Sequence, residues 1–276
     1  MCWVACLARI GSNHTVLRTW DSEAIILKTW PIGEIHLGIG LLTRDRGLVQ
    51  AIAHGARSAH GSLRSACQGF NQGRAFLYQD PVKQSLKIKE FIVSEQYVVL
   101  KSQFSKLMHA AVWAELLLKV HQDSAWEFEL MQAVLTMLET QASIAPRIAV
   151  NDMVVRTSVL FFWKHLEMSG ICPDPAVHAG TGYAISRDSW TMLSMIEGGF
   201  IPIAEQQEGD RHTWKEPLIS PGARQWLIRA ATVPFEESVG VGLAINDMKI
   251  LLHALLLFAQ AHFNVKLAAI DYIPLA

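Results

Sequence analysis

The apolar residues of this chain change their period once, near residue 101, and that change constrains the fold more than any other feature. Before it, apolar runs are short and separated by turn residues. Residues 24–27 form a β-prone run that should end before Pro31 and Gly33, and residues 35–42 form a longer one bent by Gly38 and Gly40. Arg44-Asp45-Arg46-Gly47 reads as a turn in which glycine supplies positive φ, followed by a strand over 48–53. After a loop rich in Gly and Ser come residues 70–78, a turn at Asp80-Pro81, and residues 86–93. In the last run Leu86 and Ile88 alternate with Lys87 and Lys89, the period of a half-buried strand. Short strands bent by interior glycines suggest a small closed barrel, either an OB fold or another five-stranded barrel of SH3-like type.

From Ser102 onward, Phe104, Leu107, Met108, Ala111, Val112, Leu116 and Leu117 recur at three- and four-residue steps, as on the buried stripe of a helix. A second helix is expected over 128–138. A third, capped by Asn151 or Asp152, should run to Glu167 and stop at Gly170 and Pro173. Residues 171–217 are irregular. Helical pattern resumes over 223–230, and a long final helix runs from Asn246 to about Phe263-Asn264. The expected organisation is α+β: an extension of unassigned role over 1–20, a barrel over 21–101, and a helical part over 102–276 that contains the irregular 171–217 module.

The 276 residues are 51% hydrophobic and 18% charged, enough to bury a core, and the formal charge is −1. A polyanionic partner must therefore be recognised by local charge. The four cysteines (Cys2, Cys6, Cys67, Cys172) are too scattered for a disulfide framework or a four-thiolate metal site, which points to a reduced, cytoplasmic setting. Residues 1–10 read poorly as a signal peptide. The apolar stretch 251–261 is too short to span a bilayer and is bracketed by Lys249, His262 and Lys266, so no membrane role is expected. No zinc-protease, nucleophile-elbow or phosphate-loop motif occurs. His253 and His262 are nine residues apart and face opposite sides of one helix. Glu127 and Glu129 sit where a helix begins and complement its dipole. The residues predict no catalytic group, cofactor or metal. The rival is a hydrolase assembled from dispersed histidines and acids.

Several motifs, in order, resemble the RecO family. Ala24-Ile25-Ile26-Leu27-Lys28 with Gly33-Glu34 resembles its first strand and turn, and Leu42-Thr43-Arg44-Asp45-Arg46-Gly47-Leu48 its hairpin. Ala53-His54-Gly55-Ala56-Arg57 is similar to its Ala-Lys-Gly-Ala-Arg, with His54 where lysine is usual. Gly170-Ile171-Cys172-Pro173-Asp174, Leu218-Ile219-Ser220-Pro221-Gly222-Ala223 and Ala261-His262-Phe263-Asn264-Val265-Lys266-Leu267 match later segments. The resemblance implies an OB barrel followed by an α-helical domain, binding of single- and double-stranded DNA, and strand annealing. It also implies loading of RecA onto DNA coated by single-stranded-DNA-binding protein, with RecR and that protein's acidic tail as partners, in a nucleoid-associated setting. Many members carry a four-cysteine zinc finger where this chain keeps only Cys172, with His178 and His212 as conceivable ligands. Such a set does not close a tetrahedral site, and a metal-free module packed on Trp190, Phe200 and Trp214 is expected instead. The basic loop is also diluted at Ser58-Ala59-His60-Gly61, which leaves open a protein-binding scaffold with weak DNA affinity.

The expected DNA contacts are Lys28, Arg44, Arg46, His54, Arg57, His60, Arg64 and Arg74. Five of these are arginines, standing against the single acid Asp45 over residues 44–79. His54 and His60 should make binding tighten as pH falls. Phe70, Phe76, Tyr78 and Phe91 are the candidate stacking rings, at least half of them expected in the core. On the final helix Leu252 and Leu256, with Lys249 and Lys266 as a cationic rim, are the expected partner-binding residues.

Overall fold

The computed structural model of the chain describes residues 18–58, 61–83, 85–120, 125–140, 149–203, 216–233, 235–238 and 240–273. Five strands, β1 (Thr19–Ile32), β2 (His36–Thr43), β3 (Gly47–Ala53), β4 (Gln72–Gln79) and β5 (Leu86–Glu95), close into a barrel in the order β1-β2-β3-β5-β4. The β3–β5 pair is parallel and the others antiparallel, an OB-type barrel. Strand alternation fills its interior with Ala24, Ile26, Ile39, Leu41, Ala51, Ala53, Ala75, Leu77, Ile88 and Phe91, and the β3–β4 connection adds Ala56, Leu63 and Cys67.

The first strand corrects the sequence reading, because it passes through Pro31 instead of ending before it. Thr19–Ile25 pair with β4 and Ile26 bonds the backbone of Phe70 and Asn71 just before it, so from Leu27 onward β1 has β2 on one side alone. Pro31 then faces an open edge, where a missing N–H costs no ladder bond. The β1–β2 register shifts between Ile26 and Lys28. Ile26 lies inside the barrel, and strict alternation would turn Lys28 and Trp30 inward with it. The shift brings both to the outer face.

Helices follow: α1 (Val98–Ser102), α2 (Phe104–Lys119), α3 (Ala125–Glu139) and α4 (Val150–Met168). The segment after α4, expected to be irregular, contains a three-stranded sheet of β6 (Thr191–Ser194), β7 (Gly199–Pro202) and β8 (Leu218–Ile219), in the order β7-β6-β8. Then come α5 (Pro221–Ala230), α6 (Phe235–Ser238), α7 (Ile245–Phe263) and a 3-10 turn over Ala268–Tyr272. Ser220 caps α5 by accepting from the Ala223 N–H at 3.1 Å, with Pro221 at the first helical position. Asn264, at φ 52°, ends α7 in the left-handed conformation. The predicted cap of α4 is not formed: its N-cap is Ala149, without a side-chain hydrogen bond, and Asn151 and Asp152 lie inside the first turn.

One apolar cluster runs from barrel to helices. Ile25, Leu27, Leu42 and Phe70 join Trp113, Phe128, Phe161, Phe162 and Phe258 in it. Trp113 stacks on Phe161 with ring centroids 5.4 Å apart. Glu127 stands in the first turn of α3, where the sequence places it, and is fully buried there, with Oε1 4.0 Å from His165 Nε2. Burial holds His165 down to about 4. Among the described residues no helix is long and apolar enough to cross a membrane.

Candidate nucleic-acid interface

The barrel divides the expected DNA contacts between its two ends. Arg44 and Arg46 lie on the β2–β3 turn. Arg44 Nε donates to Glu23 at 2.8 Å, its Nη1 pairs with Glu129 on α3, and its guanidinium sits 4.6 Å over the Phe128 ring. That arginine ties the barrel to α3. Arg46 lies 4.2 Å over the Trp20 ring, and Arg74, at the same end, donates to Asp21 at 2.5 Å. Arg64 is exposed on the β3–β4 connection, Lys28 is exposed on β1, and His60 lies outside the described residues.

At the other end the β1–β2 turn, the end of β3 and the β4–β5 turn come together, because antiparallel strands return to the same level. Arg57 Nη1 donates to the Gly33 carbonyl at 3.0 Å, and the Gly55 N–H donates to His36 Nδ1 at 3.0 Å. The His36 and His54 rings meet edge-on, 4.6 Å between centroids. Asp80 shapes the β4–β5 turn: Oδ1 accepts from the Val82 and Lys83 N–H groups, and Oδ2 pairs with Lys87 at 2.8 Å. The Lys87 bond and those two amides hold the Asp80 carboxyl far below the usual carboxylate range. Desolvation, then the neighbouring His36 ring and the cations Lys87, Lys83 and Lys89, lower His54 from its ordinary value.

Lys83, Lys87 and Lys89 are functional candidates that the sequence reading did not single out. The alternation along residues 86–93 carries the signal for Lys87 and Lys89, whereas Lys83 precedes it in the β4–β5 turn. With Lys28 and Arg57 they stand against Glu34 and Asp80 at this end of the barrel and its flanking face. Loops at this position are the usual oligonucleotide-binding elements of an OB barrel. Of the candidate stacking rings, Phe70 and Phe91 are core residues, while Phe76 and Tyr78 are half-buried, with Lys89 5.1 Å from the Tyr78 ring.

The partner-binding expectation on the final helix needs correction. Leu252 and Leu256 are each 1% exposed and belong to the core, so they line no accessible pocket. Lys249 lies near the start of α7 and Lys266 just past its end, with about 21 Å of helix from Lys249 to Phe263 at 1.5 Å per residue between them. A cavity of about 470 Å³ lies instead between α2, α4 and the start of α7, lined by residues that include Phe104, Met108, Val155, Ile245, Lys249 and Tyr272.

In the module after α4, Phe200 is fully buried and Trp190 half-buried, whereas His212 and Trp214 lie outside the described residues. Burial pushes the Cys172 thiol up to about 12, and His178 Nδ1 accepts from the Gly180 N–H at 3.0 Å. Among the described residues no three His, Cys, Asp or Glu side chains converge to hold an ion.

Comparison with known proteins agrees with the barrel. Residues 17–96 match the family model described as Recombination protein O N terminal. The chain is 28% identical over 213 residues to the DNA repair protein RecO of Heliobacterium modesticaldum, covering 75% of this chain and 71% of the relative. It is 25% identical over 261 residues to that of Desulfosudis oleivorans, covering 91% and 95%. It is 24% identical over 217 residues to that of Gloeobacter violaceus, covering 79% and 80%. Residues 17–96 are thus similar to the N-terminal part of the RecO family, and the 91% of the chain that aligns with the Desulfosudis oleivorans relative carries the similarity on into the helices.

Proposed function

We propose that this chain is a DNA repair and recombination mediator: a binding protein without covalent chemistry that holds DNA on the loop end of its barrel. In this reading it anneals strands and, with RecR, helps load RecA onto DNA coated by single-stranded-DNA-binding protein, in the cytoplasm at the nucleoid. The observation that carries it is the gathering of Arg57, Lys83, Lys87 and Lys89 around His36 and His54 at that end. Phosphates neutralised there release counterions, so affinity must fall steeply with salt.

Titration of a labelled oligothymidylate against salt and pH tests it. Phosphate close to His54 favours the imidazolium and raises its pKa in the complex, so DNA binds more tightly as pH falls. The gain is complete below the depressed free-protein value and is lost as pH rises through the DNA-bound value. It should amount to about 1 kcal/mol, a several-fold change in affinity. His54→Gln should remove the pH dependence and leave the salt dependence. Salt-independent binding, or turnover of the oligonucleotide, would refute the mediator reading. A wild-type pH profile in His54→Gln would remove the histidine from the contact.

The acidic, Phe-ended tail of the single-stranded-DNA-binding protein docks, in this reading, in the cavity beside Phe104 and Tyr272, with Lys249 at its edge. Ile245→Glu would narrow the cavity and repel an acidic peptide. Binding of a labelled tail peptide, followed by anisotropy, should weaken by tenfold or more, on the order of 1.4 kcal/mol, with oligothymidylate binding intact. Equal peptide binding by the variant would place the tail elsewhere.

A further inference from the structure

The outer face of the barrel is partly covered by helices. Ile25, Leu27 and Leu42 lie in the helical core, and Leu118 of α2 reaches over Gly40, with Cδ2 3.1 Å from where a β-carbon there would sit. Beyond that cover lies Trp30, brought outward by the register shift in β1. Its indole occupies the space that a side chain at Gly38 would take: a β-carbon at Gly38 would lie 2.2 Å from Trp30 Cε2, 2.3 Å from Nε1 and 2.6 Å from Cζ2. Glycine inside a strand marks such a close approach. Trp30 is half-buried and belongs to neither apolar cluster, so its ring is not part of a core.

Its neighbours are those of the cationic loop end. Gly38 pairs with Trp30 on one side and Ile52 on the other, and Ile52 pairs with Lys87. The track Trp30–Gly38–Ile52–Lys87 therefore crosses four strands, floored by a glycine and ending at an ammonium group. Lys28 stands two residues from Trp30 on the same face, and His54 two residues beyond Ile52.

We propose that Trp30 is a base-stacking platform for single-stranded nucleic acid, seated on Gly38 and flanked by cations that hold the backbone. The proposal rests on the DNA-binding reading above and adds strand selectivity to it. A single strand presents the faces of its bases to an aromatic ring, whereas a duplex buries them, and phosphate contacts alone do not distinguish the two. The competing role is bracing, in which the indole only covers Gly38.

Trp30→Leu keeps an apolar cover over Gly38 and removes the aromatic face; Trp30→Phe keeps a face. The probes are an oligothymidylate, the same oligonucleotide made abasic, and a duplex, with folding checked by circular dichroism and thermal midpoint. Trp30→Leu should bind oligothymidylate roughly 5- to 150-fold more weakly, with an unchanged salt slope and wild-type binding of the abasic strand and the duplex. Trp30→Phe should recover most of the affinity. Wild-type binding of oligothymidylate by folded Trp30→Leu would overturn the proposal, and so would an equal loss on the abasic strand, which marks bracing. Should Trp30→Leu not fold, the wild-type chain decides: a bromodeoxyuridine oligonucleotide must photocrosslink to the peptide containing Trp30, and crosslinks confined to other peptides overturn the proposal. A wild-type chain that binds none of the three probes defeats the DNA-binding reading itself, a result distinct from selective failure of the Trp30 variants.

Discussion

Replacing Arg224 by alanine is expected to destabilise the module after α4 by about 3–5 kcal/mol, because it leaves several buried carbonyls without a donor at roughly 1–3 kcal/mol each. Arg224 is 1% exposed. Its Nη1 donates to the Pro175 carbonyl at 2.8 Å, and its Nη2 donates to the carbonyls of Ser186 and Arg187, the latter at 3.2 Å. The segment it grips has little regular structure of its own: one bridge, Val177 with Ala184, and a few turn hydrogen bonds, such as His178 N–H to the Tyr183 carbonyl at 2.8 Å. One guanidinium fork thus cross-links two stretches of backbone to α5, at the place where the resembling family often uses a metal. Lysine cannot replace it, because an ammonium point charge does not reach several carbonyls in a fixed fork. Methionine restores volume but no donors. Arg224→Met should therefore lose nearly as much as Arg224→Ala, and at roughly 2–4 °C per kcal/mol the thermal midpoint should fall by about 6–20 °C. Hydrogen exchange should rise first in residues 175–187. A methionine variant as stable as wild type would show that volume, not the donor fork, holds the module.

The barrel was legible because its strands alternate and are separated by strong turn residues, and the helices because their stripes extend over several turns. The small sheet after α4 was not. Its strands are four, four and two residues long, too short for a period to register, and its Arg224 anchor is recruited from a helix far along the chain. The burial of Glu127 was not legible for a related reason: nothing local shows that His165, far along the chain, lies beside it. In the candidate site, sequence proximity misled. Arg46 and His54 look like neighbours in a basic run, yet the seven residues of Gly47–Ala53 lie between them as a strand. At about 3.3 Å per residue that is about 23 Å. Lys83, Lys87 and Lys89, about thirty residues downstream of His54, are the groups the barrel folds back to it. Trp30 was missed because its outward orientation depends on one register shift, which a period of two cannot reveal.

The quadruple variant Arg57→Gln, Lys83→Gln, Lys87→Gln, Lys89→Gln should lose most affinity for oligothymidylate. Each abolished phosphate contact on a single strand lowers the log–log salt slope by about 0.7, so four lower it by about 3 and weaken binding near 0.1 M salt by roughly 10²–10³-fold. The paired variant Arg46→Gln, Arg74→Gln removes charge from the opposite end, where Trp20 and Asp21 already engage those side chains, and should leave the slope within about one of wild type. Arg44 is left intact in both because it ties the barrel to α3 through Glu129. Surface glutamines at these exposed or half-exposed positions should change stability by less than about 0.5 kcal/mol each, which a thermal midpoint checks. The deciding measurement is the salt slope of oligothymidylate binding for wild type and both variants. The slope should collapse only in the quadruple variant; an unchanged slope there, with loss in Arg46→Gln, Arg74→Gln, would put the DNA path at the β2–β3 end and contradict the site.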